Sequence, residues 1–301
     1  MNIGRNDLLA VAVAAGAGLL LVAAAATAQV PGPTLTPEEI AKILASPDRS
    51  PADRTNDQRR KPADLLAFIG PRGGIVAVDL SAGGGYTTEL LARSIGPTGQ
   101  VYGQSRPRNP DQPPPRPAAP EGNANPTAPA PAPAAAAPAA APPPASPPRP
   151  SPVALADRQD KLKAAGVAAA PITAVVRPFE DPMPPELADG KLDLVTLMFN
   201  YHDLGFLKID RDAMNKAVFK ALKPGGVYVI ADHSGRPGTG ITESGTLHRV
   251  EEAFLRKEVE AAGFKLVAEG NFLRNPNDPR DKNTPDPPMP KDEFVLKFAK
   301  P

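Results

Sequence analysis

Apolar and polar positions fall into three regimes along this chain. Leu8 to Ala26 is an unbroken apolar run. From Gly74 onward, short apolar runs alternate with amphipathic stretches, and between Arg106 and Pro152 that alternation stops. Ile75 to Val78 is wholly apolar, as a strand buried on both faces of a parallel sheet requires. It ends at Asp79 and a glycine-rich turn, and Thr87 to Ile95 predicts a helix. Gln100 to Gly103 predicts a second strand. Beyond the gap, Val153 to Ala165 predicts a helix ended by Gly166, and Ile172 to Val176 and Leu192 to Phe199 predict strands. Asp212 to Leu222 predicts a helix stopped by Lys223-Pro224-Gly225-Gly226, followed by a strand over Val227 to Ala231. Arg249 to Ala262 predicts an amphipathic helix closed by Gly263, and Phe264 to Glu269 and Phe294 to Phe298 predict two late strands. Strands alternating with helices predict an α/β fold on a mostly parallel sheet.

Ahead of this pattern, Thr36-Pro37-Glu38-Glu39 predicts a helix start, with Thr as N-cap and Pro at the first position, running to about Ala45. Arg49 to Arg60 is charged, with partners three and four residues apart, and reads as a solvated helix face. Ala63 to Ile69 carries an apolar set that should pack on the domain.

Composition changes this picture in three places. Nineteen of the 41 prolines fall between Pro107 and Pro152. Such a segment cannot bury a core or sustain a helix, so residues 107–152 are expected to be a disordered Pro/Ala-rich insertion in one domain formed by 29–106 and 153–301. Arg5, the apolar run and Ala26-Thr27-Ala28 predict a secretory signal over 1–28, cleaved after Ala28, and export, to the periplasm in a bacterium. An uncleaved anchor over residues 8–26 is the alternative, long enough to span a bilayer; with cleavage, no stable membrane insertion is expected. The chain has no Cys, which excludes disulfides and thiolate chemistry. A net charge of +1 with no basic stripe argues against a nucleic-acid partner. Nothing in the sequence specifies an oligomeric state.

The chemistry centres on Asp79-Leu80-Ser81-Ala82-Gly83-Gly84-Gly85. The turn follows a buried strand and opens a helix. Glycines there let the backbone approach a ligand, and the helix N-terminus offers N–H groups. Gly83-x-Gly85 is not followed by the third glycine of the dinucleotide fingerprint, which argues against an NAD enzyme.

Several ordered stretches carry a family resemblance: Ser46-Pro47-Asp48-Arg49, Val78 to Tyr86, Asn200-Tyr201-His202-Asp203, Leu222 to Gly226, Ala231 to Ser234, Leu247-His248-Arg249, Glu260 to Phe264 and Phe294 to Phe298. With these the chain resembles class I S-adenosylmethionine (SAM)-dependent methyltransferases, and more closely a group of exported bacterial members. The resemblance spans about Thr36 to Lys300 apart from the Pro-rich insertion. It implies a Rossmann-like seven-stranded sheet with an antiparallel last strand, SAM as cofactor and a small-molecule substrate. It further implies that Asp79 and the backbone of Ser81, Gly83 and Gly85 hold the methionine part of SAM. Gln104 stands where the family's ribose-binding acid falls, Phe179, Glu180 and Asp181 near the adenine contacts, and Asn200 facing the methyl group. This sequence departs from the pattern with Ser81 in place of Gly, Gln104 in place of the acid, and Pro178 at the acid after the third strand.

His202, with Asp203, is the catalytic candidate, as a base taking a proton when the methyl group arrives. His233 and His248 have packing or capping roles as alternatives. No pair of histidines stands at i, i+4, so no metal site is expected. A hydrolase using Ser234 and His233 lacks the nucleophile elbow. The rival to an enzyme is a non-catalytic exported binding protein with the same fold.

Overall fold

The computed structural model describes residues 1, 33–108, 149–285 and 289–301. The expected signal or anchor segment, and residues 109–148 of the expected insertion over 107–152, lie outside the described residues. Among those described, no helix is long and apolar enough to cross a membrane.

Among the described residues, three helices precede the sheet. In α1 (Pro37–Ala45) the expected cap is a full capping box, with the Thr36 side chain bonded to the Glu39 amide and the Glu39 carboxylate to the Thr36 amide. Next come α2 (Pro51–Arg60) and α3 (Pro62–Ile69). The sheet and its helices follow: β1 (Val76–Leu80), α4 (Tyr86–Ile95), β2 (Gln100–Ser105), α5 (Ser151–Ala164), β3 (Ile172–Val176), β4 (Leu192–Met198), α6 (Tyr201–Phe206), α7 (Arg211–Ala221), β5 (Leu222–His233), α8 (Ser244–Leu247), α9 (Glu252–Ala261), β6 (Lys265–Gly270) and β7 (Glu293–Ala299). The strands form one seven-stranded sheet in the order β3-β2-β1-β4-β5-β7-β6. Pairings from β3 to β5 are parallel, and β7 runs antiparallel to both β5 and β6. This is the expected sheet with a reversed last strand.

Period-2 alternation divides the strands between two cores. Val78, Leu80, Val195, Leu197, Tyr228 and Ile230 pack with residues of α7 and α9 on one face. Ala77, Val101, Leu194 and Val229 pack with Leu65 and Ile69 of α3 and Leu91 and Ile95 of α4 on the other. A third cluster, Ile40, Leu66 and Leu90, fastens α1 to this second face.

Four local expectations are corrected. Helix α5 starts at Ser151, two residues before the expected Val153. Lys223 to Gly226 does not separate helix from strand: β5 begins at Leu222, and these residues are a bulge opposite Asp193, between the pairs Leu192↔Leu222 and Leu194↔Val227. Lys223 binds the Asp193 carboxylate at 2.8 Å, and Gly225 supplies a positive φ of 76°. Helix α9 starts at Glu252 and not at Arg249, because Arg249 and Val250 are drawn into extended contacts. Val250 bonds the backbone of His233 and Gly235, and the buried Arg249 guanidinium reaches Asp278 at 2.8 Å.

The fourth correction concerns Arg49 to Arg60. Its charges are not a solvated face. Arg49 makes a two-point pair with Asp57 at 2.6 and 2.7 Å, and Asp57 also accepts the Tyr86 hydroxyl. Arg158 of α5 grips Asp53 at 2.8 and 2.9 Å and also pairs with Glu89. Arg93 joins Glu89 to Asp48. These carboxylates come from α2, α4 and the turn before α2, so the network ties the N-terminal helices to the sheet helices. Hydrogen bonding to Arg93 holds the Asp48 carboxyl down at about 2 despite its partial burial.

Candidate functional site

The strand order reverses between β1 and β4: β2 and β3 continue from one side of β1, and β4 begins the other half. Ligands of open α/β sheets bind outside the carboxyl ends of the strands at such a point. The glycine turn leaves β1 at this crevice. Ser81, Gly83 and Gly85 all have positive φ, at 55°, 53° and 79°. Ser81 therefore holds a left-handed conformation that glycine adopts without penalty, which explains why glycine suits this position. Gly83 and Gly84 are exposed, and a Cβ added at Gly84 would meet nothing within 4 Å. Gly85 differs: a Cβ there would come within 2.7 Å of Leu155 and 2.8 Å of Arg158, so it serves the docking of α5.

Two polar residues expected to touch the cofactor brace this turn. Gln104 is fully buried. Its Oε1 accepts the Ser81 amide at 3.1 Å, its Nε2 donates to the Arg177 carbonyl at 2.7 Å, and its own carbonyl accepts the Ala82 amide. It thus locks the turn to the ends of β2 and β3 and presents no surface to a ribose. Asp79 is 2% exposed. One carboxylate oxygen accepts the Thr88 hydroxyl of α4 at 2.7 Å, and the other the Thr196 hydroxyl of β4 at 2.8 Å. Burial lifts its pKa to about 6 against those bonds and the nearby Arg60.

The residues expected near adenine separate. Phe179 is in the core. Glu180 is half-buried and Asp181 is exposed, paired with Arg177.

Past β4 the chain turns sharply. Phe199 has φ 59°, and Asn200 caps the short α6 that carries His202 and Asp203. His202 is 3% exposed. Its Nδ1 meets Asp232 at 2.6 Å, its amide donates to the other Asp232 oxygen at 2.7 Å, and its Nε2 lies 3.2 Å from Asp203. Burial alone would lower the pKa of this ring. The Asp232 and Asp203 carboxylates outweigh burial and raise it to about 10, so the ring is cationic near neutral pH. Both ring nitrogens face carboxylates, which bears directly on the expected role of His202 as a base. The Asp203 carboxyl is raised by burial but lowered further by His202 and His248, for a net downward shift.

The fold brings all three histidines together. The rings of His202 and His233 lie 5.3 Å apart, and those of His202 and His248 lie 5.5 Å apart and perpendicular. His248 Nδ1 is 3.3 Å from Asp203, and Asn200 donates to the other Asp203 oxygen at 2.7 Å.

Four contributors here were not foreseen. Asp232 is fully buried and anchors His202. Phe199 packs on His233 at 5.6 Å. Arg60 and Arg59, at the end of α2, stand 3.9 and 5.1 Å from the centre of the Phe199 ring. Helix α2 therefore reaches over the carboxyl end of β4. The one available signal was the acid beside His233 at the end of an apolar strand; nothing in the sequence pointed to the arginines.

No protein-family model and no curated protein matches this chain. Solved structures are similar to it at low identity. A SAM-dependent methyltransferase from Aquifex aeolicus is 14% identical with a TM-score of 0.49, over 89% of this chain and all of that one. The [4+2]-cyclase SpnF is 13% identical with a TM-score of 0.49, over 90% of this chain and 99% of that one. Geranyl diphosphate C-methyltransferase from Streptomyces coelicolor is 12% identical with a TM-score of 0.49, over 90% of both chains.

Proposed function

We propose that this protein binds SAM at the crevice between β1 and β4 and transfers its methyl group to a small molecule. One observation carries the reading: a glycine turn with three positive-φ residues, braced from beneath by Gln104, opens helix α4 at the topological switch point of the sheet. The exposed backbone of Gly83 and Gly84 leaves room for the carboxylate and amine of an amino-acid group, and the start of α4 favours its negative end. Asp79 supports the turn through Thr88 and Thr196, a positioning role.

SAM supplies a sulfonium-bound methyl group, and in-line placement of the acceptor accounts for much of such a transfer. The protein's part is then to hold the acceptor near Asn200 and the His202–Asp203 pair, at the end of β4. His202 enters as a group anchored by Asp232 through its ring and its amide.

The test is calorimetric titration of the purified chain with SAM and with S-adenosylhomocysteine. Micromolar binding is expected, and at 100 times Kd the ligand should stabilise the fold by about 2.7 kcal/mol. A folded sample that binds neither at millimolar concentration would overturn this reading and favour a binding module with the same fold.

A further inference from the structure

His202 and Asp203 open α6, whereas His248 follows α8, 45 residues beyond Asp203. One ligating atom from each residue lies within 4.8 Å of the others. We propose that His202, Asp203 and His248 bind a divalent transition-metal ion, with Asp232 and Asn200 as the orienting partners of two of the ligands.

Distances support this assignment. The Asp203 oxygen lies 3.2 Å from His202 Nε2 and 3.3 Å from His248 Nδ1. Charge-assisted hydrogen bonds of this kind run at about 2.7–2.9 Å, so both contacts are long. Donor atoms bound to one ion at about 2.0–2.2 Å stand about 2.9–3.5 Å from each other in octahedral or tetrahedral geometry. Both contacts match such an edge. The remaining edge, between the two imidazoles, can close through His248, whose side chain is 43% exposed.

The surroundings are those of a ligand set. Metal-bound histidines generally donate their second nitrogen to a carboxylate, which fixes tautomer and ring orientation. His202 does so to Asp232, which is wholly buried and also accepts the His202 amide. Asn200 Nδ2 likewise holds the Asp203 oxygen that is turned away from the histidines.

Donor chemistry selects the ion. Two imidazoles and one carboxylate suit cobalt, nickel, zinc or iron in the divalent state, whereas magnesium and calcium require oxygen-rich sites. Three protein ligands leave coordination positions open. Because α6 begins at the end of β4, a substrate with a hydroxyl or carboxylate oxygen could occupy them beside the crevice. That last statement rests on the methyl-transfer reading; the metal site does not.

The experiment titrates chelator-treated full-length protein with Co²⁺, followed by visible absorption and calorimetry, with Zn²⁺ and Mg²⁺ in parallel. One Co²⁺ per chain is expected, with d–d bands of an imidazole-ligated ion and no response to Mg²⁺. His248→Ala, at a half-exposed position, should keep the fold and weaken Co²⁺ binding by about 100-fold; Asp232→Asn should weaken it by about 10- to 100-fold. No Co²⁺ or Zn²⁺ binding at about 1 mM in folded protein, or binding unchanged in His248→Ala, would overturn the proposal. SAM titration of the same His248→Ala sample separates the two ideas. Retained SAM binding with lost Co²⁺ binding supports a distinct metal site, and retained Co²⁺ binding in a wild type that ignores SAM overturns only the methyl-transfer reading.

Discussion

Arg158 and Asp53 stand 105 residues apart and meet as a two-point ion pair at 2.8 and 2.9 Å. The pair joins α5 to α2, the helix whose end overhangs β4. Both groups are largely buried, and Arg158 also bonds the carbonyl of Gly84 in the glycine turn. The turn, the N-terminal helices and α5 are therefore one mechanical unit.

Removing one partner should expose how much that unit depends on the pair. Arg158→Ala strands Asp53 in a poorly solvated site and leaves Glu89 with Arg93 alone, and a loss of roughly 2–4 kcal/mol is expected, at or just below the range for breaking a buried pair. Replacing both, as Arg158→Met with Asp53→Leu, should cost less than Arg158→Ala alone. Urea denaturation measures both, and a single-variant loss below about 0.5 kcal/mol would place the pair among ordinary surface bridges.

The three glycines of the turn should separate by function. Gly84→Val meets open space at ordinary φ and should change stability by less than about 0.5 kcal/mol, as exposed substitutions do. In the proposed site it should still weaken SAM binding, by about 10-fold or more, because its side chain competes with the ligand. Gly85→Ala should instead lower stability by about 2 kcal/mol, through its φ of 79° and the clash with Leu155. Equal effects of the two variants on stability would contradict this division.

Asp79 predicts a stability trend with pH. Its folded pKa is raised to about 6 from an ordinary 3.8. On raising the pH from about 4, the unfolded carboxyl ionises first, so the unfolded state binds fewer protons and stability falls until about pH 6.5. Asp79→Asn removes that fall and should gain up to ~3 kcal/mol on the wild type between pH 4 and 7. Denaturation of both proteins across this range is the measurement; parallel profiles would show that Asp79 does not titrate there.

Arg249 should control the segment between β6 and β7. Its guanidinium bonds the carbonyls of Ser234 and Lys282 at 3.0 Å and pairs with Asp278. Lysine keeps the charge without the planar fork, so Arg249→Lys should cost about 3 kcal/mol. Hydrogen exchange should show the lost protection concentrated at the amides of Asp278 and Arg280. A uniform loss across the sheet would refute that local role.

The alternation of apolar runs was enough to read the sheet, because burial on both faces leaves a parallel strand no polar position to alternate with. The central strands β1, β4 and β5 were legible for this reason, and the glycine turn, the Thr36 cap and the stop at Gly263 were legible from their residue types. Their physics is local, set by neighbours a few residues away. The roles of Gln104, Arg60, Asp232 and His248 were not legible. Gln104 was expected to face a ribose, yet its side chain is consumed by the backbone of two other elements. The charges of α2 look solvated until α4 and α5 supply their partners. The expectation of no metal site relied on spacing along one helix, and the structure brings His202 and Asp203 of α6 beside His248, which follows α8. Local periodicity encodes which residues are buried and in what element. Which buried polar groups face one another depends on crossovers that bring distant segments side by side, and that information arises only when the sheet is assembled.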